Sequence, residues 1–317
     1  MRKVLQVSHP IIRAYLRHAF ATSILGQKII ENGWLYQKYI ALEYHKLSNE
    51  KYLTYKNYDF FMNEGAFIKH FALAPSDRSI VIDFIKSYIN DECYFFSYWN
   101  EKFIQGKEAY GKYDFSHACL FYGYDDDKKV FYTEGYLTEN WKWSVHCVSY
   151  KEVEKAMLLE VDKGYFWCDA YQCCDRFRCL FSYSDMIKEF DEYFFQKPVK
   201  KELFFGIDAC ENFLSELADE FGTRELIKRT PFYCLVEHRE FMEKRLSFLV
   251  NNNLLENALK MSYKKYVNEY KQIQMQVLKY NLTRNITLGC KIFARIEELI
   301  KADHELLFSV YKNLKKG

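Results

Sequence analysis

Polar and apolar positions alternate in two neighbouring runs near the middle of the chain, Ala118 to Tyr124 and Val130 to Tyr136. The charged cluster Asp125, Asp126, Asp127, Lys128, Lys129 separates them. A period of two on both sides of a short polar break predicts a β-hairpin. His117 opens its first strand, and Glu134 lies near the middle of its second. Cross-strand neighbours in a hairpin sit about 5 Å apart, close enough for a carboxylate to orient an imidazole. Three further stretches read as strands: Glu92 to Trp99 (ECYFFSYW), Trp141 to Val148 and Tyr165 to Tyr183. In the second of these Trp141, Trp143, Val145 and Cys147 alternate with Lys142, Ser144, His146 and Val148.

Elsewhere the apolar spacing turns helical. Gln6 to Arg17 reads as an extended lead-in, with Pro10 disfavouring helix. From His18 to Asn32 the set Phe20, Ile24, Leu25, Ile29, Ile30 fits one helix, closed by Asn32-Gly33. Pro75-Ser76-Asp77 can start a helix running to Ser87, and Ser149-Tyr150-Lys151-Glu152 is a capping box opening a helix through Leu159. Trp34 to Lys46 fits either a helix or a strand-helix turn, and Asn49 to Asn63 either a strand pair or a covering loop. Beyond Pro198 the helical period dominates. Leu203 to Phe221 ends at Gly222, and Pro231 begins the next helix, with Glu240 and Lys244 at i, i+4 spacing. Two longer stripes follow, Leu255 to Val277 and Ile292 to Leu314. The expected class is α+β: a domain over residues 1–198, then a helical domain or extension over 199–317.

Composition narrows the function. Apolar residues make up 49% of the 317, ample for a core, and only 12 Gly and 4 Pro argue against long linkers. A formal net charge of +2 carries no nucleic-acid signature. No apolar run approaches a membrane span, and the N-terminal MRKVLQVSHPIIRAYLRHAF has no secretory pattern, so a cytoplasmic location is expected. The ten cysteines lack paired Cys-x-x-Cys units and read as reduced apolar side chains. From Leu254 to Lys316 twelve Lys or Arg face six Asp or Glu, an excess that reads either as a solvated helix face or as a docking surface for an acidic partner.

A histidine opening a strand, then Gly123-Tyr124-Asp125, a short turn and a second strand carrying an acid resembles the histidine half of papain-like cysteine enzymes. More narrowly it resembles the bacteriocin-leader-peptidase branch and the butirosin biosynthesis protein H N-terminal family, with closthioamide-type amide-forming relatives. The family's nucleophile stands at the start of its first long helix, in a His-Cys-x-x-x-Ser-x-Leu context. The matching segment here is His18-Ala19-Phe20-Ala21-Thr22-Ser23-Ile24-Leu25, so Ala19 occupies the cysteine's position. Alanine offers no thiolate, which makes the chain a natural pseudoenzyme or an inactivated variant of an enzyme.

The resemblance implies a papain-like fold, an antiparallel sheet with an N-terminal helix, followed by a helical region. It implies a triad of position 19, His117 and Glu134, with Asp125 as the alternative orienter. His18, Phe20, Tyr94 and Trp99 would be substrate contacts, and the backbone N–H of position 19 an oxyanion donor. In such an enzyme an acyl group passes from a carrier protein's phosphopantetheine thioester, through a cysteine thioester, to a small amine. Lys260, Lys264, Lys265 and Lys271 are the expected carrier-docking residues; no metal or directly bound cofactor is implied. The alternatives are a cysteine peptidase or hydrolase and a non-catalytic module that binds a carrier protein.

Overall fold

The alternating runs become a mixed α+β structure with antiparallel sheets. The computed structural model describes residues 1–46, 51–56, 65–71, 75, 77–137, 142–158, 168–198 and 202–316. Expected features that reach into 47–50, 57–64, 76, 138–141, 159–167 and 199–201 fall to that extent outside the described residues. The chain forms two compact units, one of Met1–Gln27 with Asp59–Arg178, the other of Lys28–Tyr58 with Cys179–Gly317. It thus passes between units three times, where the sequence suggested one division after residue 198.

The first unit is organised on a seven-stranded antiparallel sheet. In chain order its strands are β1 (Arg2–Val4), β4 (Phe67–Phe71), β5 (Tyr94–Asn100), β6 (Ser116–Asp125), β7 (Val130–Tyr136), β8 (Trp143–Ser149) and β9 (Cys168–Cys173), and they lie side by side as β4-β9-β5-β6-β7-β8. β6 is long enough to take β5 along its first half and β1 along its second. Gly123 permits the second pairing, because a Cβ there would stand 2.8 Å from the Lys3 carbonyl oxygen. The β6–β7 hairpin turns where the charge cluster predicts. Its register shifts between Phe121 and Gly123, marking a bulge.

Both faces of this sheet are covered. On one, helix α1 (Leu16–Leu25) packs Phe20 against Phe96 of β5 and Trp143 of β8, with ring centroids 5.1 and 5.7 Å apart. On the other, α3 (Val81–Asn90) sets Phe84 on Phe95, and α4 (Tyr150–Ala156) sets Tyr150 on Phe131. The capping box of α4 forms as its sequence predicts, Ser149 and Glu152 each accepting from the other's backbone N–H. The helix expected over residues 18–32 is instead two. Gly26, at φ +70°, ends α1 by donating to the Thr22 carbonyl at 3.1 Å, and α2 (Lys28–Glu31) begins the second unit.

In that second unit β2 (Leu42–Lys46) and β3 (Lys51–Tyr55) join β10 (Leu203–Phe205) in a small sheet ordered β10-β2-β3. The helices are α5 (Tyr183–Phe195), α6 (Gly206–Thr223), α7 (Arg229–Asn251), α8 (Asn257–Thr283) and α9 (Ile286–Leu314). Tyr183 thus opens a helix rather than closing a strand. Leu203 to Phe205 are strand rather than helix, and α6 runs through Gly222 to a left-handed cap at Arg224. Glu240 pairs with Lys271 of α8 at 2.8 Å, not with Lys244. α7 is fixed to the 36–40 segment by Arg245, whose Nε donates to the Tyr36 carbonyl at 2.7 Å, and by a 2.8 Å bond from His238 to Ile40 O. At the helical core Arg239 and Asp303, both fully buried, form an ion pair at 2.7 Å.

Candidate functional site

Pairing of β5 with β6 builds the site. Trp99 lies opposite His117 and Asn100 opposite Ser116, so the chain leaving β5 at Glu101 runs directly beside the imidazole. Glu101 Oε1 is 2.9 Å from His117 Nδ1. The carboxylate is buried whereas the histidine side chain is 42% exposed. Burial works against the charge of Glu101, but the bond to His117 and the nearby Lys107 ammonium outweigh it and hold the carboxyl below its ordinary value. Lys107 Nζ lies 3.6 Å from Glu101 Oε1 and donates to the Tyr136 carbonyl at 2.8 Å. Its own pKa is lowered, by burial first, with Glu101 opposing. An ionised carboxylate only accepts, so the Nδ1–H of His117 donates in this bond.

Around this dyad the sheet supplies further polar groups. Thr133 Oγ1 bonds His146 Nε2 at 2.9 Å, and burial, aided by Lys107, brings His146 down to about 4, so its imidazole is neutral near pH 7. The Cys119 thiol donates to the Ser97 carbonyl at 3.3 Å, and burial pushes its pKa well up. It is a covered thiol, not a thiolate nucleophile.

The expected triad is not assembled. Successive residues of a strand point to opposite faces, and the registers place Phe95, Ser97, Trp99, His117, Cys119, Phe121 and Thr133 on the face packed by α3 and α4. Phe96, Glu134 and Trp143 share the other face, which α1 covers. Ala19 and Glu134 therefore belong to one side of the sheet and His117 to the other. Glu134 accepts from Ser23 Oγ of α1 and, at 3.3 Å, from Trp143 Nε1. Burial raises its pKa to about 7, against the pull of those two bonds. Asp125 serves its own turn, accepting from the backbone N–H groups of Asp127 and Lys128 at 3.1 Å each.

The other expected site residues sort by burial. Ala19 is fully buried at the fourth position of α1, and its N–H donates to the Tyr15 carbonyl at 3.0 Å, so it is already used within the helix. His18, Phe20, Tyr94 and Trp99 are all buried. Burial, with Arg17, pulls His18 down to about 3, and the Tyr94 hydroxyl donates to the Gln6 carbonyl at 2.6 Å. Lys264, Lys265 and Lys271 are exposed on α8 and Lys260 half-buried. Lys271 is committed to Glu240.

The residue the sequence reading missed is Glu101. Its one signal is an acid two positions after the apolar run ECYFFSYW, and that signal gains meaning only from the β5–β6 register. Among the described residues no group of three or more His, Cys, Asp or Glu side chains is placed to hold a metal ion, and no helix is long and apolar enough to cross a membrane. A scan against protein-family models and a search of curated proteins found no match to the chain.

Proposed function

We propose that the protein is an acyltransferase of specialised-metabolite assembly in which His117 acts as general base directly on an amine, with no covalent acyl-enzyme. The observation that carries this reading is the His117–Glu101 pair: an imidazole open to solvent, held at 2.9 Å by a buried carboxylate that stays charged. That is the base-and-orienter half of a hydrolase triad without its nucleophile. The donor, a phosphopantetheine thioester on a carrier protein, comes from the resemblance to the butirosin and closthioamide families.

The amine nitrogen attacks the thioester carbonyl while His117 Nε2 takes the amine proton. The tetrahedral intermediate collapses, the C–S bond breaks, and His117 returns the proton to the departing thiolate, giving amide and thiol. Glu101 stabilises the imidazolium between these steps. Ala19 then needs no cysteine, since it packs α1 on the other face of the sheet. None of the ten cysteines is in a disulfide, which suits a reducing cytoplasm.

The test is amide formation from a small thioester mimic and a primary amine, followed by intact mass spectrometry. Product is expected with no adduct on the protein, and Ala19→Cys should add nothing. Turnover that appears only with Ala19→Cys, together with a thioester adduct, would restore the papain-like route through position 19. Amine-independent release of acid would make the protein a hydrolase. The lack of any nucleophile at position 19 favours one second reading, a module that binds the acyl carrier without turnover, which carrier binding with no product would establish.

A further inference from the structure

Residues 101–115 form a closed loop between β5 and β6. The Glu101 N–H donates to the Phe115 carbonyl at 2.8 Å, and the Asn100 side chain accepts from the N–H groups of Lys102 and Phe115 at 3.1 Å. Ile104 and Ala109, fully buried, anchor it from within. A compact loop with joined ends and its own packed interior is an ordered scaffold.

Its outer surface is unusual. Five aromatic side chains are exposed among the large apolar residues of the described chain: Phe103, Tyr110, Tyr113, Phe115 and Phe195. Four of the five lie in this loop. Apart from Phe195, the other rings of the described residues are covered at least in part, so the concentration of four exposed ones in thirteen residues marks a surface with a use. The rings are continuous with the base: Tyr113 and Phe115 have centroids 6.4 Å apart, and Phe115 sits 5.3 Å from the His117 imidazole, inclined at 54°. The loop carries Lys102, Lys107 and Lys112 against Glu101, Glu108 and Asp114, so it has no net charge to select an ion.

We propose that this loop is an aromatic platform that seats a flat, uncharged aromatic or conjugated group of the substrate beside His117, making the transferred acyl group an aryl or conjugated one. The assignment of that group as the acyl portion rests on His117 being the base; the platform itself does not. Flat π-faced groups gain from offset or edge-on contact with such rings, whereas a flexible alkyl chain gains only burial.

Binding of two unreactive product-like amides, N-methylbenzamide and N-methylhexanamide, to the intact protein tests it by NMR titration. The aryl amide is expected to bind roughly three- to tenfold more tightly, with the largest shifts on the Tyr113 and Phe115 ring signals. The double variant Tyr113→Leu/Phe115→Leu, which keeps an apolar surface and leaves the backbone closure alone, should erase the preference while the aliphatic affinity and the melting temperature hold. Equal affinities in the wild type, or a preference that survives the double variant, overturn the proposal. Aryl preference without turnover of any thioester would leave the platform standing and remove His117 as the acyl-transfer base.

Discussion

Glu101 and Glu134 are two covered carboxylates of one sheet unit, on opposite faces, with opposite acidities. Glu101 meets an imidazole and an ammonium and is held below its ordinary pKa; Glu134 meets only a hydroxyl and an indole N–H and is raised to about 7. Burial penalises both charges, so the difference lies in the partners. Neutral donors soften desolvation, whereas cationic ones reverse it. The contrast also separates surroundings: the acid beside the Lys107 ammonium holds an exposed imidazole, and the other joins a helix to the sheet.

The sharpest way to break this comparison is to remove the base. His117→Ala should lower amide formation by about 10²–10⁴-fold, the usual worth of a positioned general base, while the fold stays intact by circular dichroism and the denaturant midpoint falls only by the worth of the lost Glu101 bond. A variant with unchanged rate would strip the Glu101 face of its chemical role.

Next in size is the pH dependence that Glu134 imposes. An acid with a folded pKa above its unfolded value binds more protons when folded, so stability should fall as pH rises from about 4.5 to about 7 and then level off. The full span is on the order of 3 kcal/mol. Denaturation of Glu134→Gln should show this slope removed and, at pH 8, a protein more stable than wild type. A wild-type stability that climbs across that window would contradict the assignment.

Glu101 should behave in the opposite sense. Its lowered folded pKa contributes stability that is present above the unfolded carboxylate value and is lost as pH falls through the folded one. Glu101→Gln should cost about 1.5–3 kcal/mol near neutral pH, the worth of a charged hydrogen bond. Catalysis should slow as well, because the imidazolium loses its counter-charge. Equal acid sensitivity of Glu101→Gln and wild type would show that the pair contributes nothing.

The smallest effect is expected on α8. Lys264→Glu/Lys265→Glu should reduce use of a carrier-bound donor several-fold, leave a small thioester mimic unaffected, and lose its effect at high salt, where exposed charges are screened within about 10 Å. An equal loss with the small mimic would remove α8 from docking.

How legible the site was can be followed residue by residue. The hairpin, with His117 near the head of its first strand, stood in the sequence, because alternation and a charged turn are local signals. Glu134 was a reasonable partner on hairpin spacing alone. The bulge between Phe121 and Gly123, and the placing of Glu134 beneath α1, are not local features. Glu101 is sixteen positions from His117 and reaches it only through strand pairing.

What the sequence determined by itself was the α+β class, the hairpin, the capping box of α4 and the helical character of the last third. All of these follow from side-chain period, capping chemistry or residue identity. Tertiary structure alone decided which face of the sheet each strand residue occupies, that Lys28–Tyr58 joins the second unit, and which acid meets the imidazole. A strand's period of two divides its residues into two faces, but only the helices packed on the sheet determine what each face meets. That choice depends on contacts among segments far apart in the chain, which no local pattern encodes.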